Sequence, residues 1–144
     1  MARILIGGPQ GDKKDIHDDL VARLQQDHTI TYIKNDGGSM FWELAKTPLI
    51  PDEERYKLVV YDSGLFYPAA IPEKKIEVFE MLTATYLAGA KAPVLILAET
   101  DLAAILRPLA EKAGFMQIDQ PYQADEVINK INEILGTGLS SDLK

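Results

Sequence analysis

The stretch Lys57-Leu58-Val59-Val60-Tyr61-Asp62 decides the fold. Four apolar or aromatic residues run without polar alternation, then stop at a carboxylate followed by Ser63-Gly64. A strand with one wet face alternates polar and apolar side chains, whereas an unbroken apolar run belongs in a strand covered on both faces. Pro93-Val94-Leu95-Ile96-Leu97-Ala98 is a second run of the same kind. Two strands buried on both faces require helices above and below the sheet.

The flanking segments supply them. Toward the amino terminus, Arg3-Ile4-Leu5-Ile6 is a compact apolar run stopped by Gly7-Gly8-Pro9. Lys14 to Gln26 places Ile16, Leu20 and Leu24 four apart with charges between, one stripe of an amphipathic helix. Thr29 to Ile33 (TITYI) is rich in β-branched residues and reads as a strand. Asn35-Asp36-Gly37-Gly38 is a turn, Ser39 is placed to cap a short helix through Lys46, and Thr47 to Glu54, with two prolines, reads as a loop. Between the two decisive strands, Phe66 to Pro72 is an irregular loop. Glu73 to Leu87 has Ile76, Phe79, Leu82 and Tyr86 on one helical face. Beyond Ala98, a helix over Asp101 to Ala113 is expected to end at Gly114 and to kink or break at Pro108. Phe115 to Asp119 is a short strand. Ala124 to Leu135, striped by Val127, Ile131 and Ile134, is the last helix, with Gly136 as its C-terminal cap. This alternation predicts an α/β fold, a three-layer, doubly wound, five-stranded parallel sheet. It occupies residues 1–136, with 137–144 a polar tail.

Composition narrows the function. The chain has 144 residues, 47% of them hydrophobic and 26% charged, so one domain with a real core is expected. With 22 acidic and 15 basic residues the net charge is -7, which argues against nucleic acid and anionic membranes as partners. No cysteine is present, which removes disulfides, thiol catalysis and thiolate metal sites, and two histidines are too few for a multi-histidine metal centre. No metal and no cofactor is expected. No apolar run approaches the ~20 residues that span a bilayer, and no signal-peptide pattern opens the chain, so the expected compartment is the cytoplasm. His17 and His28 read as surface residues. Trp42, with Met40 and Phe41, reads as packing.

In a doubly wound sheet the working site lies at the carboxyl ends of the strands. The residues there are Gly7–Gly11, Asp62–Leu65, Ala98–Asp101 and Asp119–Tyr122. The glycine loop matches neither G-x-x-x-x-G-K-[S/T] nor G-x-G-x-x-G and carries no hydroxyl to grip a phosphate, so it reads as a tight strand-to-helix turn. Asp62 projects into the cleft, where it is a phosphoacceptor, a metal ligand or a turn-forming residue. Ser63 and Thr100 are the nearest hydroxyls in sequence. Ser63 lacks the G-x-S-x-G elbow, and no acid/base pair marks an enzyme.

From Pro93 onward the chain resembles a response-regulator receiver domain. PVLILAE is similar to the family's PVIVLTA strand, and Asp119-Gln120-Pro121-Tyr122 followed by QADEVINKINEILG is similar to its x-K-P-F turn and final helix. Pro93 lies 27 positions before Gln120, the family's spacing. RILIGG resembles RILIVDD, and KLVVYD resembles the strand that ends in the phosphoacceptor, which the resemblance puts at Asp62. The implied fold is flavodoxin-like. The magnesium-holding acidic pair falls on Gly8 and Pro9, the switch hydroxyl on Ala98, the switch aromatic on Gln117 and the lysine on Gln120. Only Asp62 remains. The resemblance therefore implies a degenerate pseudo-receiver. Such a domain acts on a protein partner, a kinase or an output protein, through the face built from Asp101–Ala113, Phe115–Asp119 and Ala124–Leu135. A homodimer is compatible with it.

A second resemblance covers Gly11-Asp12-Lys13-Lys14-Asp15-Ile16-His17-Asp18-Asp19-Leu20-Val21, which looks like the G-D-x-H-D-I-G-K-N-L-V segment of cobalamin-binding domains, with Ser63-Gly64-Leu65 matching their S-x-L. The cobalt-ligating histidine falls on Lys14, the family's glycine on His17 and its Gly-Gly pair on Ala98-Glu99. The alternative function it implies is a small-molecule-binding domain, for a cobalamin-like or nucleotide-like ligand.

Overall fold

The structure, a computed structural model, describes residues 2–8, 16–34, 42–62, 92–98, 103–120 and 122–136, together with Glu80 and Thr100. Five strands form one sheet: β1 (Arg3–Gly8), β2 (Thr29–Lys34), β3 (Leu58–Asp62), β4 (Val94–Ala98) and β5 (Met116–Asp119). Their order is β2-β1-β3-β4-β5 and every neighbouring pair is parallel. This is the flavodoxin-like doubly wound order, with its switch point between β1 and β3. The described helices are α1 (Ile16–Leu24), α2 (Ala103–Ala113) and α3 (Ala124–Leu135), with a helical turn at 42–45.

The two continuous apolar runs are buried on both faces, as their lack of alternation requires: every residue of β3 and β4 is buried. Alternate residues go to opposite sides. Ile4, Ile6, Leu58, Val60, Leu95 and Leu97 pack with Leu20 and Leu24 of α1 and Val127 and Ile131 of α3. Leu5, Val59, Tyr61, Val94, Ile96 and Ala98 pack with Leu44 and with Leu106 and Ala110 of α2. Helices on both faces of one sheet make the three layers. On the first face α1 and α3 are also joined by the ion pair of Arg23 with Asp125, 2.7 Å.

Several local expectations change. The segment 47–54 is not a plain loop but holds two 3-10 turns, Thr47–Leu49 and Asp52–Glu54. Pro48 is the second residue of the first turn and Pro51 the N-cap of the second, positions whose backbone N–H has no partner within the helix, so a proline loses no helix bond there. Each turn closes with a backbone bond, Ile50 N–H to Thr47 O at 3.0 Å and Arg55 N–H to Asp52 O at 3.2 Å. Helix α2 runs through Pro108 without breaking, because buried Leu106 and Ala110 anchor it on either side while Pro108 faces solvent. It ends where expected, at Gly114 with φ 79°, where Phe115 N–H reaches back to Ala110 O (2.8 Å) and Gly114 N–H to Glu111 O (3.1 Å). Gly136, φ 72°, ends α3 in the same left-handed conformation.

Two side chains lie opposite to expectation. His28 is buried, 7% exposed, because its ring closes the amino end of the sheet and accepts the Ala2 N–H at Nδ1 (3.1 Å). Trp42 does not pack: it is 67% exposed, on a turn whose inward position is taken by Leu44. The loop 66–72, the helix expected over 73–87 apart from helical Glu80, and the tail 137–144 lie outside the described residues.

Candidate functional site

The carboxyl ends of β1, β3 and β4 meet along one edge of the sheet. Gly7 is in register with Tyr61, which puts Gly8 level with Asp62. Asp62 is in register with Leu97, and Ala98 with Asp119. Gln120 follows at once and donates its backbone N–H to Ala98 O, 2.9 Å. Gly8, Asp62, Ala98 and Gln120 are thus brought to the same edge. Pro9, Ser63 and the rest of the glycine loop, including residues 11–15 of the cobalamin-like segment, lie outside the described residues.

Asp62 is the one ionisable side chain among these four. Alternation along β3 sends it to the same face as Leu58 and Val60, under α1 and α3, where it is 2% exposed. A carboxylate buried in an apolar layer must be hydrogen-bonded, and Tyr122 meets that need: its hydroxyl donates to Asp62 Oδ2 at 3.0 Å. Tyr122 sits in the turn after β5, and its ring packs into the same core as Val127 and Ile131. The bond spans 60 positions of sequence and ties the end of β3 to the turn that opens α3. Sequence reading placed Tyr122 at this edge and missed its role. The signal was a tyrosine where the similar turn has phenylalanine, one hydroxyl more than packing needs.

A polar chain crosses the α2 side of the edge. Gln117 Nε2 donates to Ala103 O (3.0 Å) and to Asp119 Oδ1 (2.7 Å), and Arg107 pairs with Asp119 Oδ2. Desolvation pushes Asp119 up, but the hydrogen bonds from Gln117 and Arg107 and the Arg107 charge outweigh it and hold the carboxyl below its ordinary value. Gln120 Oε1 accepts the backbone N–H of Thr100, 3.3 Å. The amide nitrogen of Gln117 is therefore committed to α2 and Asp119, and the amide oxygen of Gln120 to the backbone that follows β4. A hollow of about 440 Å³ lies beside this edge between β5 and α3, lined by Gln117, Asp119, Glu126, Lys130 and Glu133 among others.

Magnesium requires oxygen ligands in near-octahedral array, chiefly carboxylates and water. Gly8 and Ala98 offer no side-chain oxygen, and the Asp62 carboxylate accepts the Tyr122 hydroxyl. Among the described residues no three acidic, histidine or cysteine side chains cluster to hold a metal. The described part of this edge does not fit a magnesium ion.

No protein-family model and no curated protein matches the sequence. Solved structures do match. A response regulator receiver protein from Burkholderia phymatum superposes with a TM-score of 0.65 at 17% identity, covering 94% of this chain and 96% of that one. The receiver domain of a Pseudomonas aeruginosa sensor histidine kinase, with a magnesium ion coordinated in its active-site cleft, gives 0.63 at 15% identity, over 94% and 98%. The receiver domain of a Francisella response regulator gives 0.63 at 19%, over 93% and 96%. These likenesses extend over nearly the whole of each chain, and the chain has the fold of the response-regulator receiver domains.

Proposed function

We propose that the chain is a receiver-like signal-transduction module that works by contact with a protein partner and without normal magnesium-dependent phosphorylation of Asp62. The observation that carries this reading is the state of Asp62: buried, hydrogen-bonded to Tyr122, and flanked at the neighbouring strand ends by Gly8 and Ala98. Phosphoryl transfer to a carboxylate needs cations that neutralise the phosphate oxygens. Neither Gly8 nor Ala98 supplies a carboxylate for a cation, and Gln120 stands where the resemblance puts the lysine. A receiver fold without that machinery keeps its surface as its working part. The module comprises residues 1–136, has no enzymatic activity, and engages a kinase, an output protein or a second copy of itself, not nucleic acid or membrane; its compartment is the cytoplasm.

The face proposed for the partner joins α2, β5 and α3. Ile105, 46% exposed on α2, is an apolar anchor among polar and charged residues that include Arg107, Lys112, Glu126 and Glu133. The test is incubation with acetyl phosphate and magnesium followed by intact-mass measurement. No phosphoryl adduct is expected. An adduct that disappears in Asp62→Ala would overturn the reading.

A further inference from the structure

Ala98 has no hydroxyl and Gln117 no aromatic ring, so these two side chains cannot form the hydroxyl–aromatic switch that the receiver resemblance implies. Gln117 is held by Ala103 O and Asp119 Oδ1, and so is pinned to α2. A different connection is present. From the buried Asp62 carboxylate the Tyr122 hydroxyl leads directly to the start of α3.

The start of α3 needs an anchor. Its N-cap residue is Gln123, in extended conformation (φ -119°, ψ 158°), and no side-chain hydrogen bond caps the helix. A helix leaves its first N–H groups without intrahelical partners, and a capping side chain normally fixes where the helix begins. Here the fixed point lies one residue earlier: Tyr122, held at its hydroxyl by Asp62 and at its ring by the core that contains Val127 and Ile131. The ring and the first buried residue of α3 share one apolar layer, so movement of the phenol is movement of the helix start.

We infer that Asp62 and Tyr122 form a latch that positions α3 from the end of β3, so that the side chain at 62 sets the presentation of α3 through Tyr122. The latch works with the carboxylate unmodified and involves no group transfer. It acts within the isolated chain, so it is tested without any partner, and its failure is distinct from failure of the phosphorylation reading above.

The experiment is hydrogen exchange on the whole chain, comparing wild type with Tyr122→Phe, Asp62→Ala and the double variant. Tyr122→Phe keeps the ring and removes only the hydroxyl. Exchange at the amides from Val127 to Ile131, the first in α3 with partners inside the helix, is expected to rise about tenfold, the factor that loss of one buried hydrogen bond gives, with α1 amides unchanged. The double variant is expected to exchange no faster at those amides than the faster single variant, because both substitutions break the same bond. Unchanged α3 exchange in Tyr122→Phe would overturn the latch, as would a double variant whose effect is the product of the two singles. Should Asp62→Ala fail to fold, Tyr122→Phe alone decides.

Discussion

His28 shows how much a single ring can depend on its protonation state. Its Nδ1 accepts the Ala2 N–H, which only a neutral imidazole does in this geometry. Burial first, and the positive amino terminus second, push its pKa below the ordinary 6.5, against a smaller opposing pull from Asp27. The unfolded chain therefore binds a proton below about pH 6.5 that the folded chain still refuses, and stability contributed by His28 is present above that pH and lost as pH falls toward the lower folded value. His28→Gln removes the titration. The stability gap between wild type and this variant is expected to shrink on acidification through pH 6.5, followed by denaturant titrations; a gap constant with pH would refute the assignment. Trp42 gives a second, cheaper check at this scale. It is the single tryptophan of the chain and is 67% exposed, so native emission should already lie at the water-like, long-wavelength limit, and unfolding should barely move its maximum. A blue-shifted native spectrum would place Trp42 in the core instead.

Helix α2 continues past Pro108, where its sequence predicts a kink or a break. Pro108 removes one backbone donor and crowds the carbonyl one turn back, at Ala104, yet buried Leu106 and Ala110 hold the helix to β4 and β5. Tertiary packing overrides propensity here, and that is why, of the kink or break expected at Pro108, the break does not occur. Since Pro108 is exposed, Pro108→Ala should restore the helix bond without disturbing the core. The expected gain is about 2 kcal/mol, the helix penalty of proline less the flexibility that alanine returns to the unfolded chain. A melting temperature that does not rise would show that α2 is strained by something other than the proline. Other element boundaries were legible for physical reasons. Ala124–Leu135 is bounded in the sequence by its apolar stripe and by Gly136, and the structure has the same bounds. The 3-10 turns at 47–49 and 52–54 were not legible, because two prolines predict a turn region without saying whether a short helix forms inside it.

For the whole molecule, the most legible feature was the pair of strands that decided the fold. KLVVYD and PVLILA lack alternation because both of their faces are covered, and that single fact implies the parallel sheet and its three layers. Less of the site was legible. The sequence put Gly8, Asp62, Ala98 and Gln120 at one edge, since all end or follow strands. It could not say that the Asp62 side chain is sealed by Tyr122, because a contact across 60 positions depends on register and on where the turn after β5 falls. The same sheet order makes a prediction about cooperativity. β1, β3 and β4 are interior strands, hydrogen-bonded on both sides and covered by both helical layers, whereas β2 and β5 are the edges. The central cores Leu5–Ile6, Leu58–Val60 and Leu95–Leu97 are nearly inaccessible to solvent. An amide in such a position has no route to water short of disrupting both layers, so it exchanges only when the whole domain unfolds. Amides of β3 and β4 should therefore share one opening free energy, equal to the global stability from denaturant titration, while those of β2 and the outer edge of β5 open more easily. A Leu97→Ala variant, which empties part of the layer beneath α3, should lower the global value by about 2–5 kcal/mol. It should drag β3 and β4 amides down together by that same amount. If β3 fell and β4 did not, the sheet would be two cooperative units divided between those strands, and the apolar continuity of its two central runs would not be what holds the fold together.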